Sequence, residues 1–91
     1  MIIGKVIGNV WATRKEDRLN GHKLMVVQRV DMVNENLKES LVAVDCVGAG
    51  VGERVLYVTG SSARMALRDP QTPVDAAIVG ILDGEDRSPE A

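Results

Sequence analysis

A mostly β domain, a small five-stranded barrel with one short helix, is the all-β architecture this sequence predicts. Three observations point to it. Val and Ile together supply 19 of the 91 residues, and β-branched side chains suit a pleated, half-buried surface better than a helix. Five apolar stretches of strand length are separated by turns rich in glycine or charge, and a single segment has helical character. Hydrophobic residues make up 45% of the chain but aromatics only 2%, namely Trp11 and Tyr57 with no Phe. That composition is too apolar for disorder and implies an aliphatic core.

The first strand, Ile2 to Trp11, places Ile2, Gly4, Val6, Gly8 and Val10 on one face. Glycine weakens a strand interior, so this pair predicts sharp coiling or close approach of another backbone, as in a small barrel. Thr13 to His22 is polar, holds Arg14, Lys15, Glu16, Asp17 and Arg18, and carries the turn signal Asn20-Gly21, so it reads as a charged surface loop. The second strand, Lys23 to Asp31, sets Leu24, Val26, Gln28 and Val30 against Lys23, Met25, Val27 and Arg29; the second, mixed face is expected to be partly covered by a neighbouring subunit. A loop from Met32 to Ser40 leads to a third, buried strand, Leu41 to Val47, with Asp45 as its polar exception.

Gly48 to Glu53 turns the chain into a fourth strand, Arg54 to Thr59. Gly60 to Arg68 then reads as a two-turn helix with Ser61 or Ser62 as N-cap and Asp69-Pro70 as its stop. The fifth strand runs from about Val74 to Leu82. Residues 1–83 therefore form one barrel domain of the oligonucleotide/oligosaccharide-binding (OB) type, and 84–91 are expected to be a flexible polar tail.

Size and charge narrow the function. A domain this short buries only about 60 to 65% of the surface its unfolded chain exposes, which makes oligomerisation a natural supplement. Eleven basic against 13 acidic residues, a net charge of −2, provide no general attraction to phosphate. The lone Cys46 forms no internal disulfide, and no stretch approaches the roughly 18 apolar residues of a spanning helix, so a cytosolic, membrane-free protein is expected.

No chemical motif is complete. Gly48, Gly50 and Gly52 suggest a phosphate cradle, but a strand follows where a dinucleotide fingerprint needs a helix, and a connecting turn is the simpler reading. Ser61, Ser62 and His22 lack the Gly-x-Ser-x-Gly elbow of a hydrolase, and one His with one Cys falls short of a zinc site. No catalytic residue, cofactor or metal is expected. An OB-type barrel raises single-stranded nucleic-acid or ligand binding as the rival function, but two aromatics and a net negative charge offer neither stacking platform nor basic groove. Asp45 in an apolar strand needs partners, and Arg64 is a candidate within or between subunits, unless Asp45 lies at an exposed edge and Arg64 on a solvated helix face.

Five segments occur in a recognisable order: Gly4 to Lys15 (GKVIGNVWATRK), Leu19 to Val26 (LNGHKLMV), Val44 to Leu56 (VDCVGAGVGERVL), Gly60 to Arg64 (GSSAR) and Pro73 to Ile81 (PVDAAIVGI). Through them the sequence resembles the EutN/CcmL family of bacterial microcompartment vertex proteins over roughly residues 1 to 83. Trp11 departs from the pattern, standing where a smaller aliphatic residue is commoner. The resemblance implies a cyclic pentamer that closes the five-fold vertices of a polyhedral shell, in the bacterial cytoplasm, in contact with hexameric or pseudohexameric shell proteins. It implies subunit contacts near Gly60, Ser61, Ser62, Ala63 and Arg64, to which Asp45 is added as a candidate. The candidates for touching neighbouring shell tiles are Thr13, Arg14 and Lys15 with Gly48, Ala49 and Gly50, where glycine would permit close approach and Lys15 could meet an acidic rim.

Overall fold

Alternation of apolar and polar side chains along five short strands leaves each with one face to bury, and closing the strands on themselves buries all five together. The computed structural model describes residues 1–11, 17–30, 37–69 and 71–83. Its strands are β1 (Ile2–Val10), β2 (Lys23–Val30), β3 (Leu37–Asp45), β4 (Arg54–Thr59) and β5 (Ala76–Leu82), with one helix, α1 (Ser61–Ala66), between β4 and β5. They form a closed barrel in the order β1-β2-β3-β5-β4, antiparallel throughout except for the β3–β5 pair. This is the five-stranded, one-helix barrel expected from the sequence.

The interior is aliphatic apart from Tyr57, the largest fully buried side chain, which packs with Val6, Met25, Val27, Ala43, Val55, Ala76 and Ile78. Closure explains the glycine at position 4. A methyl group there would lie 2.5 Å from Val27 Cγ1 and 2.9 Å from Tyr57 Cε1, so β1 approaches its neighbours more closely than any side chain allows. Gly8 differs: nothing lies within 4 Å of the same position, so the expected close approach holds at only one of the two glycines. A bulge between Val6 and Gly8 separates them: Val6 pairs with inward Val27 but Gly8 with outward Val26, so the expected single face from Ile2 to Val10 breaks there, and Ile7, which the register skips, is 44% exposed.

On β2 the structure corrects the expected facing. Met25 and Val27 point into the barrel, so the mixed face is the interior rather than a surface awaiting a neighbour; Leu24 and Val26 lie half-buried on the outside. Charged Lys23 and Arg29 share the inward parity only at the two strand ends, where the barrel opens to water. A second bulge, between Gln28 and Val30, brings Val30 into buried surroundings. β3 begins four residues before the expected Leu41 and ends at Asp45, because ladder pairing with β2 continues outward through Ser40 to Leu37. The charged 13–22 loop contains a 3-10 turn at Asp17–Leu19. The predicted tail, 84–91, lies outside the described residues.

Candidate assembly surfaces

The chain leaves β3 through a turn built around one carboxylate. Asp45 is paired in register with Lys23 across β2 and β3. Its side chain is 2% exposed; Oδ1 accepts hydrogen bonds from the backbone N–H of Val47 and of Gly48, both at 3.0 Å, and Oδ2 lies 3.8 Å from Lys23 Nζ. Lys23 also donates to the carbonyl of Ala49 at 3.0 Å. A carboxylate entering an apolar run is thus compensated locally, by two amides and a cation, as burial of its charge requires. The sequence identified the need but not the partner: Lys23, not Arg64, supplies the cation within the protomer. Desolvation of the thiol and, second, the Asp45 charge push the Cys46 pKa above its ordinary value.

The glycines that follow are turn residues. Gly48 and Gly52 adopt φ of 83° and 95°, a region that glycine enters without strain. Ala49 between them is fully buried in the barrel cluster. The Gly50 N–H donates to Glu53 Oε1 at 2.6 Å and the Gly52 N–H to the Val6 carbonyl at 2.8 Å, while the Val6 N–H returns a bond to the Glu53 carbonyl. The amides of Gly48, Gly50 and Gly52 are therefore all spent within the chain, the physical reason a phosphate cradle does not form from them.

Residues 60–75 make a second surface. Gly60, at φ 63°, precedes the helix without any side-chain cap, so Ser61 begins α1 rather than capping it, and Ser61 and Ser62 are exposed. The excursion is tied at its base by the Gly60 N–H to the Asp75 carbonyl at 2.9 Å, and Arg64 Nη1 straps it by donating to the Val74 carbonyl at 3.0 Å. Ala63 is buried beneath the helix. Beyond it, Asp69 accepts from the Gln71 N–H at 2.9 Å; this bond, then one from the Thr72 hydroxyl, outweighs slight desolvation and, with the charges of Arg18 and His22, holds its carboxyl below the ordinary 3.8. Arg18, exposed as expected of the charged loop, also reaches across to donate to the Gln71 carbonyl at 3.0 Å.

A half-open groove of about 360 Å³ lies at one end of the barrel, between the end of β1 and the glycine turn, lined by Asn9, Val10, Trp11, His22, Lys23, Leu24, Gly50 and Val51. Trp11 stands 92% exposed at its side. The structure thus sets Gly50 beside the segment that leads into residues 13–15; Thr13, Arg14 and Lys15 themselves lie outside the described residues. The sequence flagged Trp11 only as a departure from pattern. Its exposure depends on β1 ending where the barrel ends. Among the described residues no group of three His, Cys, Asp or Glu side chains converges as a metal site.

Residues 1–83 match the family described as ethanolamine utilisation protein EutN/carboxysome. The chain belongs to the EutN/CcmL family. Among its relatives, the carboxysome shell vertex protein CcmL of Synechococcus elongatus is 48% identical over 91% of this chain and 84% of its own. The solved GrpN pentameric microcompartment shell protein of Rhodospirillum rubrum superposes with a TM-score of 0.82 at 44% identity, covering 94% of this chain and 99% of the other. CcmL of Gloeobacter violaceus gives a TM-score of 0.88 at 39% identity over 97% and 91% of the two chains. Identity at this level along nearly the whole length of both partners means that the barrel fold is shared as one unit.

Proposed function

We propose that five copies of this chain close a ring that caps the five-fold vertices of a bacterial microcompartment shell in the cytoplasm, where it meets hexameric shell proteins. The observation that carries this reading is the likeness, over 91% of this chain, to a shell vertex protein, together with that to a solved shell protein described as pentameric. Physical features of the chain support it. A small barrel with a limited core gains buried apolar surface by associating with copies of itself. A head-to-tail contact that repeats by one fifth of a turn closes after five copies instead of growing into a filament.

The role is structural, not catalytic. Two of the polar groups singled out in the sequence hold turns: Asp45 is bonded by two amides and Lys23, and Arg64 donates to the Val74 carbonyl. In the ring, Gly60 to Arg64 lie near the subunit seam, with Ser61 and Ser62 presented outward and Arg64 keeping their loop in place. Asp45 contributes through the turn it shapes, because its carboxylate is nearly enclosed. The glycine turn, with Gly48 exposed and Gly50 lining the groove beside Trp11, is the surface offered to a neighbouring tile; Ala49, fully buried, supports the turn from within. The rival single-strand binder is disfavoured by the burial of Tyr57, which is 1% exposed and leaves Trp11 as the one aromatic able to stack on a base.

Native mass spectrometry tests the assembly. The expected species is about 49 kDa, five times the 9.8 kDa chain. Monomers alone at micromolar concentration, or a hexamer, would refute the vertex role.

A further inference from the structure

We propose that Asn20 is a site of spontaneous covalent change, at which the Asn20-Gly21 turn closes to a succinimide, loses ammonia and reopens with water as an aspartyl or isoaspartyl link. This chemistry is independent of the pentamer reading. Of the four asparagines in the chain, Asn9, Asn20, Asn34 and Asn36, only Asn20 precedes a glycine. That neighbour matters because the attacking atom is the main-chain nitrogen of the following residue, and any side chain there crowds the closing ring. Asn9 is the internal contrast, since it precedes β-branched Val10 and is held in the β1–β2 ladder opposite Met25.

The structure leaves the reacting atoms accessible. Asn20 and Gly21 are both exposed, between the 3-10 turn at Asp17–Leu19 and β2, and nothing lies within 4 Å of where a Gly21 side chain would stand. The amides on either side are engaged: the Asn20 N–H donates to the Asp17 carbonyl at 3.0 Å and the His22 N–H to the Leu19 carbonyl at 3.1 Å. Among the described residues the Gly21 N–H has no such partner. It can therefore give its proton to water without first surrendering a hydrogen bond within the chain. The reaction balances with one water. Gly21 N bonds to Asn20 Cγ as the Cγ–Nδ2 bond breaks, and Nδ2 leaves as ammonia, taking up the proton that Gly21 N gives away. Water then opens the ring at Cγ, giving aspartate, or at the Asn20 main-chain carbonyl, giving isoaspartate, whose backbone runs through Cβ and Cγ and is one carbon longer. Either product adds a negative charge to a loop that carries Arg18, tied to the Gln71 carbonyl, and leads into His22 and Lys23 of the groove. The longer link also takes the His22 N–H out of register with the Leu19 carbonyl.

The test keeps the full chain for weeks at body temperature and mildly alkaline pH and then digests it with trypsin. The Leu19–Lys23 peptide should gain about 1 Da and split into two chromatographic peaks of equal mass, faster as pH rises, while the Val6–Arg14 peptide that carries Asn9 keeps its mass. In the isoaspartyl fraction amide exchange at His22 should rise. Freshly prepared Asn20→Asp, which brings the charge without the extra carbon, should keep that amide protected. A folded chain that keeps its ammonia while a synthetic peptide of the same sequence loses it would overturn the proposal, as would equal reaction at Asn9. His22 exchange no faster in the isoaspartyl fraction than in Asn20→Asp would overturn the main-chain consequence.

Discussion

Gly4 is the position at which adding one methyl group should cost most. In Gly4→Ala the new carbon would sit 2.5 Å from Val27 Cγ1, 2.9 Å from Tyr57 Cε1 and 3.1 Å from the Gln28 carbonyl oxygen. None of the three can yield freely. Val27 and Tyr57 are 0% and 1% exposed in the barrel interior, and the Gln28 carbonyl belongs to the β1–β2 ladder. Overpacking of a filled core costs about 1–3 kcal/mol, and two sub-3 Å contacts put this case toward the upper end. Replacing glycine also restricts the unfolded chain, which returns about 0.4–1 kcal/mol. The net expectation is a loss of about 2 kcal/mol, or roughly 8–16 °C in Tm for a chain of this size. Urea denaturation at one fixed chain concentration is the assay, since assembly itself adds to apparent stability. The double variant Gly4→Ala with Val27→Ala isolates the cause. It should be more stable than the sum of the two single losses by about 0.5 kcal/mol or more, because removing the Val27 methyls relieves the shortest contact. A Gly4→Ala protein as stable as its parent, or strict additivity in the double variant, would refute the close-approach argument.

Four further outcomes are expected. Asp45→Asn keeps the shape of the side chain but removes the charge that raises the Cys46 thiol pKa, so the pH profile of iodoacetamide alkylation at Cys46 should move to lower pH; an unmoved profile would contradict this coupling. Asp69, held below its ordinary 3.8, stabilises the fold above that pH and ceases to do so as pH falls through its lowered value. The Gln71 amide resonance should therefore titrate with a midpoint under 3.8, and a midpoint at or above it would disprove the hydrogen-bond assignment. Arg64→Ala should release the strap on Val74 and weaken the pentamer in native mass spectra, whereas an unchanged assembly profile would remove Arg64 from the account. Trp11 is the single tryptophan, so acrylamide should quench its fluorescence readily in the free pentamer and poorly once shells form with a co-expressed hexameric shell protein; protection already present in the free pentamer would place the groove at a subunit seam instead.

The local chemistry of individual residues made much of this molecule legible. β4 is bounded at Arg54 and Thr59 as the turn glycines on either side demand. The helix sits in a run free of β-branched residues, Ser61 to Ala66, bounded by Gly60. Asp45 stood out because a carboxylate in an apolar run must be compensated. Its partner was not legible, since Lys23 reaches it only through the register of two strands 22 positions apart in sequence numbering, and register is a property of the assembled sheet. The inward face of β2 was misread for a related reason. With polar atoms among its apolar ones, each face was ambiguous alone, and closure of the barrel selected Met25 and Val27 for the interior.

By itself, then, the sequence determined the fold class, the places where the chain must turn and the family to which it belongs, because strand propensity, glycine conformational freedom and ordered motifs are written in consecutive residues. Only the tertiary structure decided which glycine is crowded and which faces open space, and which cation serves Asp45. Those are distances between residues far apart in the chain. They come into being when the five strands close, when two bulges shift the alternation of faces and when the 60–75 excursion is tied down at its base.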